Sequence, residues 1–342
     1  MTVVSYQGLA AEVSGRKHAR AWQLFVGLLV LASALPFAAL PFSQHGVADP
    51  QTGLAIVAVI TFLGANFHVG ASAWFYTDGA LWGHFREHRL RYLIVPALLI
   101  VGCAALFQFA PPVRGFMLAG FFSWQLWHYQ KQNIGLLSFV AAGTDGVSVS
   151  IWERRTLMIA AVAGIAGYFS LNPIGLQRFA PEFALLHRAG ALLYLAVPVA
   201  FAVALVKNAG LRRNPLRLVC LAFGAAFFLS TFLFDDMISA TASYAMAHGL
   251  QYLVFMGFVA AGRPRPVPSL LMLVGLALLG TVVLNGAIEA PGLPSLGYGF
   301  ALYGAFVGVT MSHFVLDAGL WRLREPFQRR YMREKFRFVF DR

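Results

Sequence analysis

The chain has 342 residues, 59% hydrophobic and 12% charged, against roughly 45–50% and 25% in soluble domains, which excludes a soluble globular protein. The net charge of +12 does not imply a nucleic-acid partner, because the basic residues fall in short loops between apolar runs. Two cysteines, Cys103 and Cys220, each inside an apolar run and without any Cys-x-x-Cys, exclude a disulfide framework, covalently attached haem and a thiolate metal site.

A polar N-terminal arm, residues 1–20, ends in Arg16, Lys17, His18 and Arg20. The apolar run 21–42 follows; it exceeds a signal-peptide core and is succeeded by more spans, so it reads as a retained first helix. Residues 46–53 form an outer turn, and 54–76 are a second span containing His68. The basic segment 77–91 carries His84 and His88 at helical spacing i, i+4. Further spans are predicted over 92–110, 116–140, 157–171, 189–206, 218–234, 237–261, 270–288 and 298–321, and a basic tail, 322–342, lies on the inner leaflet. Residues 21–321 thus make one transmembrane helical domain.

Ten spans put both ends on one side. With the N-terminus inside, the inner segments hold 22 Lys and Arg, and the outer ones only Arg114, Arg178 and Arg188. That bias predicts an inner-membrane protein with both termini cytoplasmic. No internal repeat of the kind seen in two-fold transporters is visible.

The fourth span departs from a lipid-facing composition. It holds Gln125, His128, Lys131, Gln132 and Asn133 at membrane depth, where ionisable groups are costly unless they face a cavity, a partner or a metal. Spans two, four, eight and ten run in the same direction. His68, His128, His248 and His313 lie about 14, 12, 11 and 15 residues into them, depths that agree within roughly 6 Å at 1.5 Å per residue. Each histidine sits on a polar stripe: Thr61, Gly64 and Ser72 on span two; Gln125, Lys131 and Gln132 on four; Thr241, Tyr244 and Gln251 on eight; Thr310 and Asp317 on ten. Lipid does not satisfy such stripes, so they face the bundle interior and line a polar cavity open to the cytoplasm.

His68, His128, His248 and His313 are therefore candidate metal ligands, with His84 and His88 completing the shell or forming part of a basic surface helix. Asp317, four residues after His313, is a ligand or an orienting carboxylate. Lys131, Asp317 and Tyr244 are candidates for proton transfer or substrate handling. Trp124, Trp127 and Gln125 are candidates to line a pocket for a flat or long apolar ligand. Asp78 is either a ligand or the partner of an arginine, and the Asp235–Asp236 pair either binds a cation or is a solvated turn.

Histidines scattered over polytopic helices, with His84 and His88 at the cytoplasmic face, resemble the integral-membrane, histidine-rich iron oxygenases. These are the fatty-acid desaturase and hydroxylase type and the bacterial carotene-cleaving membrane dioxygenases. The His-x-x-His-His boxes of the desaturases are absent here. The resemblance implies non-haem iron on imidazoles, oxygen chemistry, a lipophilic substrate drawn from membrane lipid, and an electron-donor protein as partner. Haem b passing electrons to a quinone, copper in place of iron, and a proton-coupled transporter relaying through His, Lys131 and Asp317 are the alternatives.

Overall fold

A computed structural model describes residues 6–38, 64–144, 146–171, 175–293 and 295–340. The outer turn, His45, Thr61 and the start of the second span lie outside the described residues. Among the described residues every regular element is helical. Helix α1 is Tyr6–Ala38, so most of the polar arm is helical rather than extended. Helix α2, Phe67–Ala71, continues as a tighter turn over Ser72–Thr77. Helix α3, Gly79–Glu87, is capped by Asp78, whose Oδ1 accepts from the backbone N–H of Ala80 (3.0 Å) and Leu81 (3.4 Å).

A π-helical turn, Leu90–Ile94, leads into α4, Val95–Phe109. Helix α5, Arg114–Thr144, is the fourth expected span, and α6, Ile151–Leu171, the fifth. Beyond α5, Gly146 (φ +65°) donates its N–H to the carbonyl of Ala141, closing the helix in a conformation that favours glycine. Helices α7, Ala180–Tyr194, and α8, Ala196–Lys207, make one rod interrupted only at Leu195. Helices α9, Ala209–Arg213, and α10, Pro215–Ala226, follow. Helix α11, Met237–Ala261, starts at Asp236, whose Oδ1 accepts from Ser239 N–H at 2.7 Å. Helices α12, Pro266–Glu289, and α13, Gly299–Leu320, complete the bundle.

Six helical stretches among the described residues are long and apolar enough to cross a membrane: Leu90–Phe109, Gln177–Lys207, Pro215–Phe232, Ser239–Ala261, Pro266–Gly292 and Gly299–Leu320. Helix α5 equals the longest of these, at 31 residues, but its glutamines, histidine and lysine lower its hydropathy. The outer faces are apolar. Val101, Leu271, Val282 and Leu192 are each 68–70% exposed, a surface that water would disfavour and lipid would cover. The chain is a multi-pass membrane protein.

The basic tail packs on the end of the bundle. It forms α14, Pro326–Lys335, and α15, Arg337–Phe340. Phe336 and Phe338 pack with Phe25 and Phe258, and Tyr331 donates to Asp78 Oδ2 at 3.2 Å. That same carboxylate oxygen lies 3.2 Å from Arg263 Nε, which makes Asp78 a structural tie. The aromatic residues interleaved among the tail's arginines gain more by burial in the bundle end than by lying at an interface.

Candidate metal centre

The helices that carry the four histidines are neighbours. In sequence around the centre, the ring-centroid separations are 4.7 Å (His68–His248), 5.1 Å (His248–His128), 5.2 Å (His128–His313) and 5.0 Å (His313–His68). Asp317 joins them, with Oδ2 3.5 Å from His313 Nε2 and 3.7 Å from His128 Nε2. His68 Nε2 and His248 Nε2 are 3.2 Å apart. All five residues are buried, at 8% exposure or less.

These separations suit a shared cation. Donors about 2.1 Å from one ion and 90–110° apart lie about 3.0–3.4 Å from each other. His68, His248 and His313 place one donor atom each within 4.8 Å of the others, and so do His128, His313 and Asp317. Nε2 of His128 and of His313, and Nδ1 of His248, have no hydrogen-bond partner among the described residues. Buried imidazole nitrogens are normally satisfied, so these orphans mark a place for something the protein does not itself supply.

The hydrogen bonds around Asp317 explain the orphaned nitrogen of His313. Tyr252 donates to Asp317 Oδ1 at 3.3 Å. Ser72 Oγ lies 3.2 Å from Tyr252 Oη and 2.7 Å from His313 Nδ1. Each hydroxyl has one proton to give. With Asp317 ionised, Tyr252 donates to it; with Ser72 giving its proton to the carbonyl of His68 (3.4 Å), the Ser72 oxygen accepts from His313 Nδ1–H. That assignment leaves Nε2 of His313 as a bare lone pair facing a carboxylate oxygen at 3.5 Å. Two acceptors held so close, away from water, call for a positive charge between them.

Helical spacing and cross-helix ties hold the arrangement. His313 and Asp317 are one turn apart on α13, and His248 and Tyr252 are one turn apart on α11. Gln132 of α5 donates to the carbonyl of His248 (3.0 Å) and to Gln251 (3.1 Å), and Gln251 donates to Ser33 of α1 (2.8 Å). Gln130 donates to the carbonyls of Leu157 and Gly224, fixing α5 against α6 and α10. Part of the α5 polar stripe thus serves helix packing.

A cavity of about 400 Å³ adjoins the centre, with His128 and Asp317 in its wall. Trp124, Trp127, Phe139, Phe255 and Phe314 make it largely apolar, and Lys131 lines it as well. The Lys131 Nζ lies 5.2 Å over the Trp127 ring, and no ion pair with Asp317 forms. Gln125 instead donates to Tyr129 at 2.6 Å, and the Tyr129 ring lies 4.0 Å from that of His248. Tyr244 is buried against Phe228 and Phe227, away from the cavity wall.

His84 and His88 stand as a separate pair beside Glu87, with ring centroids 4.3 Å apart. No ring contact or ion pair among the described residues joins them to the other four histidines. His84 stacks on Phe327 of the tail at 4.1 Å. Burial first, then the adjacent His88, holds its pKa below the ordinary 6.5, with Glu87 opposing. Compared with known protein families, curated proteins and solved structures, the chain matches none.

Proposed function

We propose that the protein is a ten-span inner-membrane oxidoreductase with both termini in the cytoplasm. It holds non-haem iron at this centre and acts on a lipophilic substrate in the adjoining cavity. One observation carries the reading. His128, His313 and Asp317 form a two-histidine, one-carboxylate set whose His128 and Asp317 border an apolar cavity, the donor set typical of iron sites that keep positions open for oxygen and substrate. His68 and His248 stand against that set as two further ligands and leave its cavity side open.

Bound iron would supply oxygen activation. The chain's own residues do the rest. Ser72 and Tyr252 fix the tautomer of His313 and the orientation of Asp317, as outer partners of metal ligands do. The aromatic walls exclude water and align an apolar substrate with the open edge. Reducing equivalents come from an electron-donor protein at the cytoplasmic face, where the basic loops favour an acidic partner.

A bis-histidine haem is a poorer fit. Two imidazoles on opposite sides of one iron need nitrogens about 4 Å apart, whereas His68 and His248 approach to 3.2 Å and the other two rings occupy the space a porphyrin requires.

Elemental analysis and an absorption spectrum of the detergent-purified protein test this reading. We expect stoichiometric iron without a Soret band, and loss of the iron in His128→Ala and His313→Ala. Full metal retention in both variants would reject the assignment.

A further inference from the structure

The cavity beside the proposed metal centre is apolar except at its metal-binding edge and at two cations, and this inference, which rests on the reading above, names the class of substrate they select. Phe121 and Trp124 of α5 meet Phe314 of α13, while His128, further along α5, meets Asp317, further along α13. The two helices therefore run in the same direction. Going along both, the metal-binding edge follows Trp124 and Phe314 and two cations follow it, set in a wall that Phe139, Phe255 and Trp321 keep otherwise apolar. Lys131 is three residues past His128, about 4.5 Å along the axis, and Arg322 follows the end of α13, five residues past Asp317. Both line the same cavity.

No carboxylate forms an ion pair with Lys131 or Arg322 among the described residues; Arg322 Nε donates to the carbonyl of Ala318 at 2.7 Å. Glu325, close by in sequence, is paired with Arg324. The one carboxylate in the cavity wall, Asp317, belongs to the histidine cluster. Two cations without counter-ions at the edge of an apolar chamber have an unmet demand for negative charge. One helical turn past Lys131, Gly135 leaves the chamber open. It lines the cavity, and a Cβ built on it meets nothing within 4 Å.

We infer that the substrate is a single-chain amphiphile with an anionic head, a carboxylate or a phosphate. The head is held by Lys131 and Arg322, and the chain lies along the aromatic wall past His128 and Asp317. Anchoring the head within about one helical turn of the metal edge presents the same few atoms next to the head on every binding event, which gives the site its regiochemistry.

The test uses the full-length protein in phosphatidylcholine nanodiscs and a brominated hexadecanoate, which quenches indole fluorescence on contact. Trp124, Trp127 and Trp321 line the cavity and report its occupancy. The matching brominated alcohol and brominated alkyl phosphate are titrated in parallel. We expect the acid, the phosphate or both to quench at about tenfold lower concentration than the alcohol, the scale of one charge-assisted hydrogen bond. Which of the two anions binds identifies the head. Lys131→Gln with Arg322→Gln should abolish the difference, Lys131→Arg should keep it, and Gly135→Leu should block quenching by all three probes.

Equal quenching by acid, phosphate and alcohol, or an unchanged preference in the double variant, overturns the inference. Iron measured on the same samples separates the two readings. Iron-free protein that still prefers the anionic probes would sink the oxidoreductase reading alone, and iron-loaded protein without the preference would sink this one alone.

Discussion

Ser72 sets which nitrogen of His313 faces Asp317, because its Oγ lies 2.7 Å from Nδ1 and, in the assignment above, accepts its proton. Ser72→Ala removes that acceptor and frees the ring to flip or rotate. Loss of such a partner typically lowers metal affinity by 10–100-fold, so we expect iron loading to fall by about that factor in chelator competition while the melting temperature stays close to that of the parent. A variant that holds iron as tightly as the parent would show that Ser72 orients nothing. His313 and Asp317 were legible as a pair from their spacing alone. Ser72 was visible only as part of a weak stripe, and Tyr252 was missed although it sits one turn past His248. A tyrosine among phenylalanines on an apolar helix gives no signal until its hydroxyl is seen to meet a carboxylate.

His84 carries a pH prediction. Its pKa is held below the ordinary 6.5 in the folded protein, by burial first and then by His88. Above pH 6.5 the imidazole is neutral in both states and contributes no pH dependence. As the pH falls through 6.5 the unfolded chain takes up the proton first, so stability is lost on acidification. His84→Gln should flatten the acid-side decline in melting temperature between pH 7.5 and 5.5, even though it also removes the stacking on Phe327. An unchanged slope would place the acid sensitivity elsewhere.

At the scale of elements, close helix crossings are made by small residues. The spacing of Gly304 and Gly308 predicts a tight contact, and α13 crosses α4 there. A Cβ on Gly308 would lie 2.5 Å from the Ile100 Cα and the Leu99 carbonyl oxygen, and one on Gly304 would collide with the backbone of Cys103. Backbone atoms do not yield as a flexible side chain does, so the helices must separate. Gly308→Val should sharply lower the yield of folded protein in size-exclusion chromatography. Gly102→Val, whose Cβ meets open space, should behave like the parent within about 0.5 kcal/mol. Similar behaviour of the two variants would mean that this crossing does not set the assembly. The pairs Ala160/Gly164 and Ala163/Gly167 were legible in the same way, but a Cβ on Gly164 or Gly167 would meet the side chains of Phe228 and Phe232 and not a helix backbone. Spacing showed where a neighbour approaches and not which neighbour it is.

At the scale of the whole molecule, a buried ion pair ties separate parts of the bundle together. Arg217, at the start of α10, donates through Nε and Nη2 to the two carboxylate oxygens of Glu153, both at 2.8 Å, and neither side chain is exposed. Asn208 donates to Glu153 as well, at 3.2 Å. Truncating one partner leaves a buried charge uncompensated, at a cost of about 3–5 kcal/mol. We therefore expect Glu153→Ala to lower the free energy of denaturant unfolding in detergent by that amount, and Glu153→Ala with Arg217→Met to recover much of it. A loss below about 1 kcal/mol in the single variant would show that water reaches the pair. Arg217 is one of the inner-side basic residues in the topology count and Glu153 carries no signal there, since nothing in one chain's order announces that two loop-end charges will be sealed together.

The sequence by itself determined that this is an all-helical membrane protein, because runs of about twenty apolar residues have to satisfy their backbone groups internally. It also placed four histidines at one depth, because helical rise converts residue count into distance. Only the tertiary structure decided that the four belong to adjacent helices and that His84 and His88 do not join them. It also decided that the basic tail folds back on the bundle and that Lys131 and Arg322 border one chamber. Depth along each helix follows from local geometry, whereas lateral neighbours depend on how every helix face packs against the others at once.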